Sequence, residues 1–284
     1  MRWRSGRRST NVEDRRRVRV TRKAAGGGIG IVVIALIAMY FGIDPSIFLS
    51  QLGPTSSVNT QQSTRQIPAA ENELAEFVSV VLADTEDTWN GLFSQMGKTY
   101  REPNLVLFSG AVQSACGFAQ AAMGPFYCPA DQKVYIDLSF YQDLKNRHGA
   151  PGDFAQAYVI AHEIGHHVQT LLGISEKVHS ARRRVSQVEG NRLSVMQELQ
   201  ADCFAGIWAH HANRIRQILE EGDIEEALGA ASAIGDDRLQ RKSRGYVTPD
   251  SFTHGSSAQR VRWFKRGLKS GEVLDCNTFR ADKL

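Results

Sequence analysis

Residues 153–173 read DFAQAYVIAHEIGHHVQTLLG. Phe154, Tyr158, Ala161, Ile164, Gly165, Val168, Leu171 and Leu172 recur at intervals of three and four, which predicts one amphipathic helix starting at Asp153 and stopping at Gly173. Inside it stands His162-Glu163-Ile164-Gly165-His166. Histidines four residues apart project from one helical face, so their imidazoles can converge on a single metal ion. Glu163 can reach the open coordination position from the side and take a proton from a water there. Ala161 and Gly165 leave room around the pair, and burying these polar groups without metal or partners would be costly. The stretch therefore predicts a catalytic zinc centre, Zn²⁺ bound by His162 and His166 with Glu163 as general base. His167 points about 100° away from His166 and is expected to be solvated or hydrogen-bonded rather than a ligand.

A catalytic zinc commonly takes three protein ligands. A third histidine six residues after the second, with glycine three residues before it, is one solution, but Leu172 and Gln169 occupy those positions. The other is a carboxylate from a second helix, expected here over about 191–220. Glu198-Leu199-Gln200-Ala201-Asp202 offers Glu198 as the ligand. Asp202, one turn later on the same face, can accept the outer N–H of His162 and fix its tautomer. Without a metal the two acids would be only a solvated edge. His179, His210 and His211 are the alternative ligands.

The flanking sequence predicts a mainly helical α+β domain with a small β-sheet. Leu74, Phe77, Val78, Val81, Leu82, Trp89, Leu92, Phe93 and Met96 mark an amphipathic helix over about 71–96. Strands are expected at 104–108 and 133–138, with further ones at 112–117 and 126–128. Asp223 with Glu226, and Ser256 with Gln259, have the spacing of capped helix starts. Asp236-Asp237 reads as a solvated acidic pair. Arg262, Lys265, Arg266 and Lys269 read as a solvated face whose neighbours Trp263 and Phe264 turn into the core.

Net charge is only +4, yet residues 1–23 hold ten basic and two acidic residues, leaving 24 basic and 28 acidic for the remainder. No residue from Ala24 to Ile43 is charged, and a helix of that length spans roughly 30 Å, a bilayer's hydrocarbon core. This predicts a basic cytoplasmic tail (1–23), a transmembrane helix (24–48), a flexible linker (49–70) and a folded domain (71–284) outside the cytoplasm, at the inner membrane. A cleaved signal peptide is the alternative, but the n-region would be long and no small-x-small site follows the apolar run. A nucleic-acid binder using residues 1–23 would be soluble, so no nucleic-acid partner is expected. Cys116, Cys128, Cys203 and Cys276 all fall in the domain and suggest two disulfides, with three possible connectivities. Cys116–Cys128 across a hairpin and Cys203–Cys276 pinning the C-terminus are the expected pairs; four reduced thiols are the alternative.

His162–His166, the Glu198-x-x-x-Asp202 helix and the segment Phe252-Thr253-His254-Gly255-Ser256-Ser257-Ala258-Gln259-Arg260-Val261 together resemble the neutral zinc metallopeptidases of bacterial membranes, over the whole chain. More distantly, the two zinc motifs are similar to those of thermolysin-like and HtpX-like peptidases. The resemblance implies a zincin-like core of small sheet and paired helices, a polypeptide substrate and an endopeptidase activity. It further implies that His254 donates to the oxyanion, with Arg260 as its support or as a substrate contact, although Gly255 stands where the HtpX-like group has proline. A strand near 133–138 is the expected edge for an extended substrate. The rival reading is a membrane-anchored scaffold that holds zinc without turnover.

Overall fold

Runs of Leu, Val, Ile, Phe and Tyr at 104–108 and 133–137 bury on both faces, as inner strands must. In the computed structural model, which describes residues 1–22, 58–62 and 66–284, they are β4 (Asn104–Phe108) and β8 (Lys133–Asp137). They pair in parallel, Leu105 opposite Val134 and Leu107 opposite Ile136. β7 (Phe126–Cys128) runs antiparallel to β8, and β1 (Val12–Asp14) runs parallel to β4, giving the order β1-β4-β8-β7. β5 (Ala111–Ser114) and β6 (Gly117–Gln120) form a separate hairpin. The expected substrate edge near 133–138 is therefore an inner strand, because β4 and β7 occupy its two flanks; among the described residues β7 is the edge on its side of the sheet.

Helices cover this sheet: α1 (Ala69–Gln95), α2 (Ser139–Asn146), α3 (Asp153–Leu171), α4 (Ile174–Arg182), α5 (Gln187–Arg216), α6 (Asp223–Ala233), α7 (Asp236–Arg244) and α8 (Ser257–Ser270). One continuous core holds Trp89 and Phe93 of α1, Phe154 and Tyr158 of α3, Phe204 and Trp208 of α5, and Trp263 and Phe264 of α8. α8 starts with the anticipated capping box of Ser256 and Gln259. α6 does not: Gly222 is its N-cap, and the Glu226 carboxylate instead accepts the Phe154 N–H at the start of α3. The disulfides are Cys116–Cys128, tying the β5–β6 turn to β7, and Cys203–Cys276, tying the C-terminal segment to α5.

Residues 1–22 depart from the expected tail. β1 joins the main sheet, with the Leu105 N–H donating to the Asn11 carbonyl and the Arg15 N–H to the Leu107 carbonyl. Trp3 packs edge-on against Phe77 at 5.4 Å. The arginines pair with carboxylates of the domain and of the segment itself: Arg7 with Glu86 and Asp87, Arg8 with Glu76, Arg16 with Asp14. The physical reason for the departure is this pairing, which neutralises Arg7 and Arg8 against carboxylates that a free basic tail would not meet. β2 (Val18–Arg22) and β3 (Val58–Gln62) then form an antiparallel ladder with Arg22 opposite Val58. Residues 22 and 58 thus lie side by side. Among the described residues no helix is long and apolar enough to cross a membrane; the transmembrane helix expected at 24–48 lies outside them.

Candidate metal centre

His162 and His166 sit one turn apart on α3, their ring centroids 4.8 Å from each other. Glu198 reaches them from α5: its Oε2 lies 3.2 Å from His162 Nε2 and its Oε1 3.5 Å from His166 Nε2. Donors about 2.0–2.2 Å from a tetrahedral zinc stand roughly 3.3–3.6 Å from one another, so Glu198 stands from each imidazole at about the spacing of ligands that share a zinc ion, and all three donors lie within 4.8 Å of one another. The approach of the two helices depends on small residues: a Cβ on Gly165 would meet the Ala201 carbonyl oxygen at 3.0 Å.

Behind the triad each imidazole is held by its other nitrogen. His162 Nδ1–H donates to Asp202 Oδ1 at 2.9 Å, leaving the Nε2 lone pair free to bind a metal. Asp202 is fully buried and also accepts from Tyr158 Oη and from Arg260, whose Nε is 2.9 Å from Oδ2 and Nη2 2.8 Å from Oδ1. Burial opposes its charge, but Arg260 and then His162 hold its carboxyl below the usual range. His166 Nδ1–H donates to Gln169 Oε1 at 2.9 Å, and the Gln169 amide is anchored on the Gln197 carbonyl and on Gln200. In the metal-free protein, burial disfavours the imidazolium of His162, yet Asp202 and Glu198 raise its pKa to about 9. Glu198, despite burial, is kept well below the carboxylate range by His166 and His162. A divalent cation would take the place of those protons.

Glu163 is buried beside the pair and lines a cleft of about 540 Å³ together with His162, His166, Glu198, His254 and Arg260. Its far wall is Ala121–Tyr127 with Phe140 and Arg147. His254 is half-exposed at the cleft, on a loop organised by Asp236. Asp236 Oδ2 accepts the backbone N–H groups of Thr253, His254 and Gly255, and its Oδ1 lies 3.3 Å from His254 Nδ1. Gly255 adopts φ +89°, which proline cannot, so the departure from the HtpX-like pattern has a backbone cause. The solvated acidic pair expected at Asp236-Asp237 is corrected accordingly: Asp236 is buried because it faces three amides, and Asp237 accepts from Ser257.

The alternative ligands lie elsewhere. His210 and His211 donate to the carbonyls of Leu268 and Gly271 at the C-terminal end of α8, and His179 is exposed on α4. Sequence reasoning passed over Tyr158, Gln169 and Asp236. Gln169 carried a readable signal, three residues after His166 on the same face; Asp236 carried none, because its partners are backbone amides 17–19 positions away.

With this geometry in hand, comparison with known proteins is decisive on one point. A family model described as "Putative neutral zinc metallopeptidase" matches residues 1–279. The chain belongs to that family. Proteins similar to it include the uncharacterized protein YpfJ of Escherichia coli K12, 54% identical over 98% of this chain and 99% of the relative. The uncharacterized protein Rv2575 of Mycobacterium tuberculosis is 38% identical over 87% and 86%. No solved structure matches. Zinc and a peptide-hydrolysing class are what this family implies, and the donor set of two imidazoles and one carboxylate suits zinc chemically.

Proposed function

We propose that the protein is a zinc-dependent endopeptidase in which His162, His166 and Glu198 hold the metal. One observation carries the reading: a partly buried carboxylate within 3.2–3.5 Å of two imidazoles whose outer nitrogens are already hydrogen-bonded. Zinc, when bound, would supply Lewis-acid polarisation of the scissile carbonyl and acidify water in the cleft. Glu163 takes a proton from the attacking water and returns it to the departing amine. His254, as an imidazolium braced by Asp236, donates to the oxyanion that develops on the substrate. Arg260 is sealed against Asp202 and acts through it, holding the carboxylate that orients His162.

An extended polypeptide would add to the free edge of β7, which packs on α3 and borders the cleft. The disulfides favour an oxidising compartment outside the cytoplasm. Lipid contact through residues 24–48 belongs to the same proposal, with both flanks on the side of the catalytic domain.

The test compares the zinc-loaded protein with its Glu163→Ala variant on unfolded proteins and mixed peptides. Cleavage by the first alone supports the proposal. Equal cleavage by both, or none by either with zinc bound, would overturn it and favour the scaffold.

A further inference from the structure

His167 follows a proposed metal ligand and is itself sealed from solvent, at 1% exposure. Its Nε2 lies 2.6 Å from the Arg101 carbonyl oxygen, an acceptor only, so Nε2 carries the proton. In that tautomer Nδ1 is an acceptor, and the Tyr127 hydroxyl, 3.1 Å away, donates to it. The imidazole is pinned between the loop before β4 and the middle residue of β7.

Tyr127 is the residue of β7 that turns toward α3. Its neighbours turn the other way: Phe126 stacks on Tyr135 at 4.8 Å, and Cys128 is buried in the second core with Val106, Phe108 and Val112. The hydroxyl–imidazole bond therefore fixes how far the free edge of β7 stands from the helix that bears His162 and His166. Along this edge a bound peptide would be aligned, so a shift here would move its scissile carbonyl relative to Glu163.

We propose that His167 and Tyr127 are positioning residues that set the register of an extended substrate against the metal centre. This rests on the endopeptidase reading above. An extended peptide uses the whole edge and feels the tie, whereas a blocked dipeptide barely engages it.

The experiment uses the full-length zinc-loaded protein and its Tyr127→Phe and His167→Gln variants. Tyr127→Phe keeps the ring packing and removes only the hydroxyl. A single neutral hydrogen bond implies a KM for an unstructured extended peptide raised about threefold to tenfold, with one equivalent of zinc retained and kcat changed less than KM. The loss on a blocked dipeptide should be several-fold smaller. Parallel losses on both substrates, or a lower melting temperature with the KM ratio unchanged, would overturn the proposal by reducing the tie to general stability. Binding of the same fluorescein-labelled peptide is measured in a Glu163→Gln background with and without Tyr127→Phe. If the wild type cleaves nothing, the endopeptidase reading fails, and this arm still decides: weaker binding by the Tyr127→Phe protein supports the positioning role, and equal or absent binding removes it.

Discussion

Gly165 faces Ala201 so closely that a Cβ on the glycine would lie 3.0 Å from the Ala201 carbonyl oxygen and 3.3 Å from its Cβ. This contact sets how near α5 comes to α3, and hence whether Glu198 reaches the two imidazoles. Gly165→Val is expected to force the helices apart, costing about 1–3 kcal/mol of stability. It should lower zinc affinity more than Gly165→Ala, where a shift of a few tenths of an ångström suffices. Thermal melts with and without zinc check this; a Gly165→Val protein with unaltered zinc affinity would contradict it.

Glu163 and Glu198 occupy one cleft but should fail differently. Glu198→Ala removes a proposed ligand, and the purified variant should hold well under one equivalent of zinc. Glu163→Gln leaves the triad intact and should retain the metal while losing about 10²–10⁴-fold in turnover. Metal analysis beside peptide hydrolysis separates the two, and full zinc in Glu198→Ala would displace that residue from the metal.

Asp202 has two tasks, because the carboxylate that orients His162 also neutralises buried Arg260. Asp202→Asn should cost about 3–5 kcal/mol by leaving the guanidinium unpaired, and about 10- to 100-fold in zinc affinity by loosening His162. Replacing Arg260 by methionine in the same protein should restore much of the stability and little of the affinity. Denaturant unfolding and zinc titration of the single and double variants distinguish these effects.

The centre was readable because its determinants are local: the four-residue spacing of His162 and His166 and that of Glu198 and Asp202 each place two side chains on one helix face. Strand 104–108 was readable from its apolar run. What escaped local reading depends on distant partners. The arginines of residues 1–22 look like a free tail until Glu76, Glu86 and Asp87 of α1 are folded against them. The edge position of β7 follows from strand order, which a three-residue strand cannot announce. Glu226 has the spacing of a cap for its own helix, yet it serves the N-terminus of α3.

Asp236 and His254 give the centre a pH signature. Partial desolvation in the cleft opposes protonation of His254, but its hydrogen bond to the Asp236 carboxylate, with the nearby Glu198 charge, raises its pKa above 6.5. Its imidazolium, the proposed oxyanion donor, therefore persists above that value, and activity should fall as pH rises through the folded pKa. In Asp236→Asn the alkaline limb should move to lower pH. The same sign holds for stability: the pair contributes fully below about pH 6.5, and the contribution fades as pH climbs through the folded pKa. Rate–pH profiles of the two proteins check the shift; identical alkaline limbs would remove Asp236 from this role.

The contacts of residues 1–22 put both ends of the chain on one folded body. β1 hydrogen-bonds within the main sheet, Arg7 and Arg8 pair with carboxylates of α1, and Arg22 lies opposite Val58 in the β2–β3 ladder. Threading residues 1–22 to the far side of a bilayer would pull a strand from the sheet and strip its arginines of partners. Ser5 is exposed near one end of the chain and Lys283 near the other, and both sit on the same folded body. Single cysteines introduced at these positions, in a background lacking the four native ones, should react with a membrane-impermeant maleimide from the same side of sealed vesicles. Labelling from opposite sides would show that the N-terminal strand leaves the sheet in the membrane and would return the single-pass arrangement to the full-length chain.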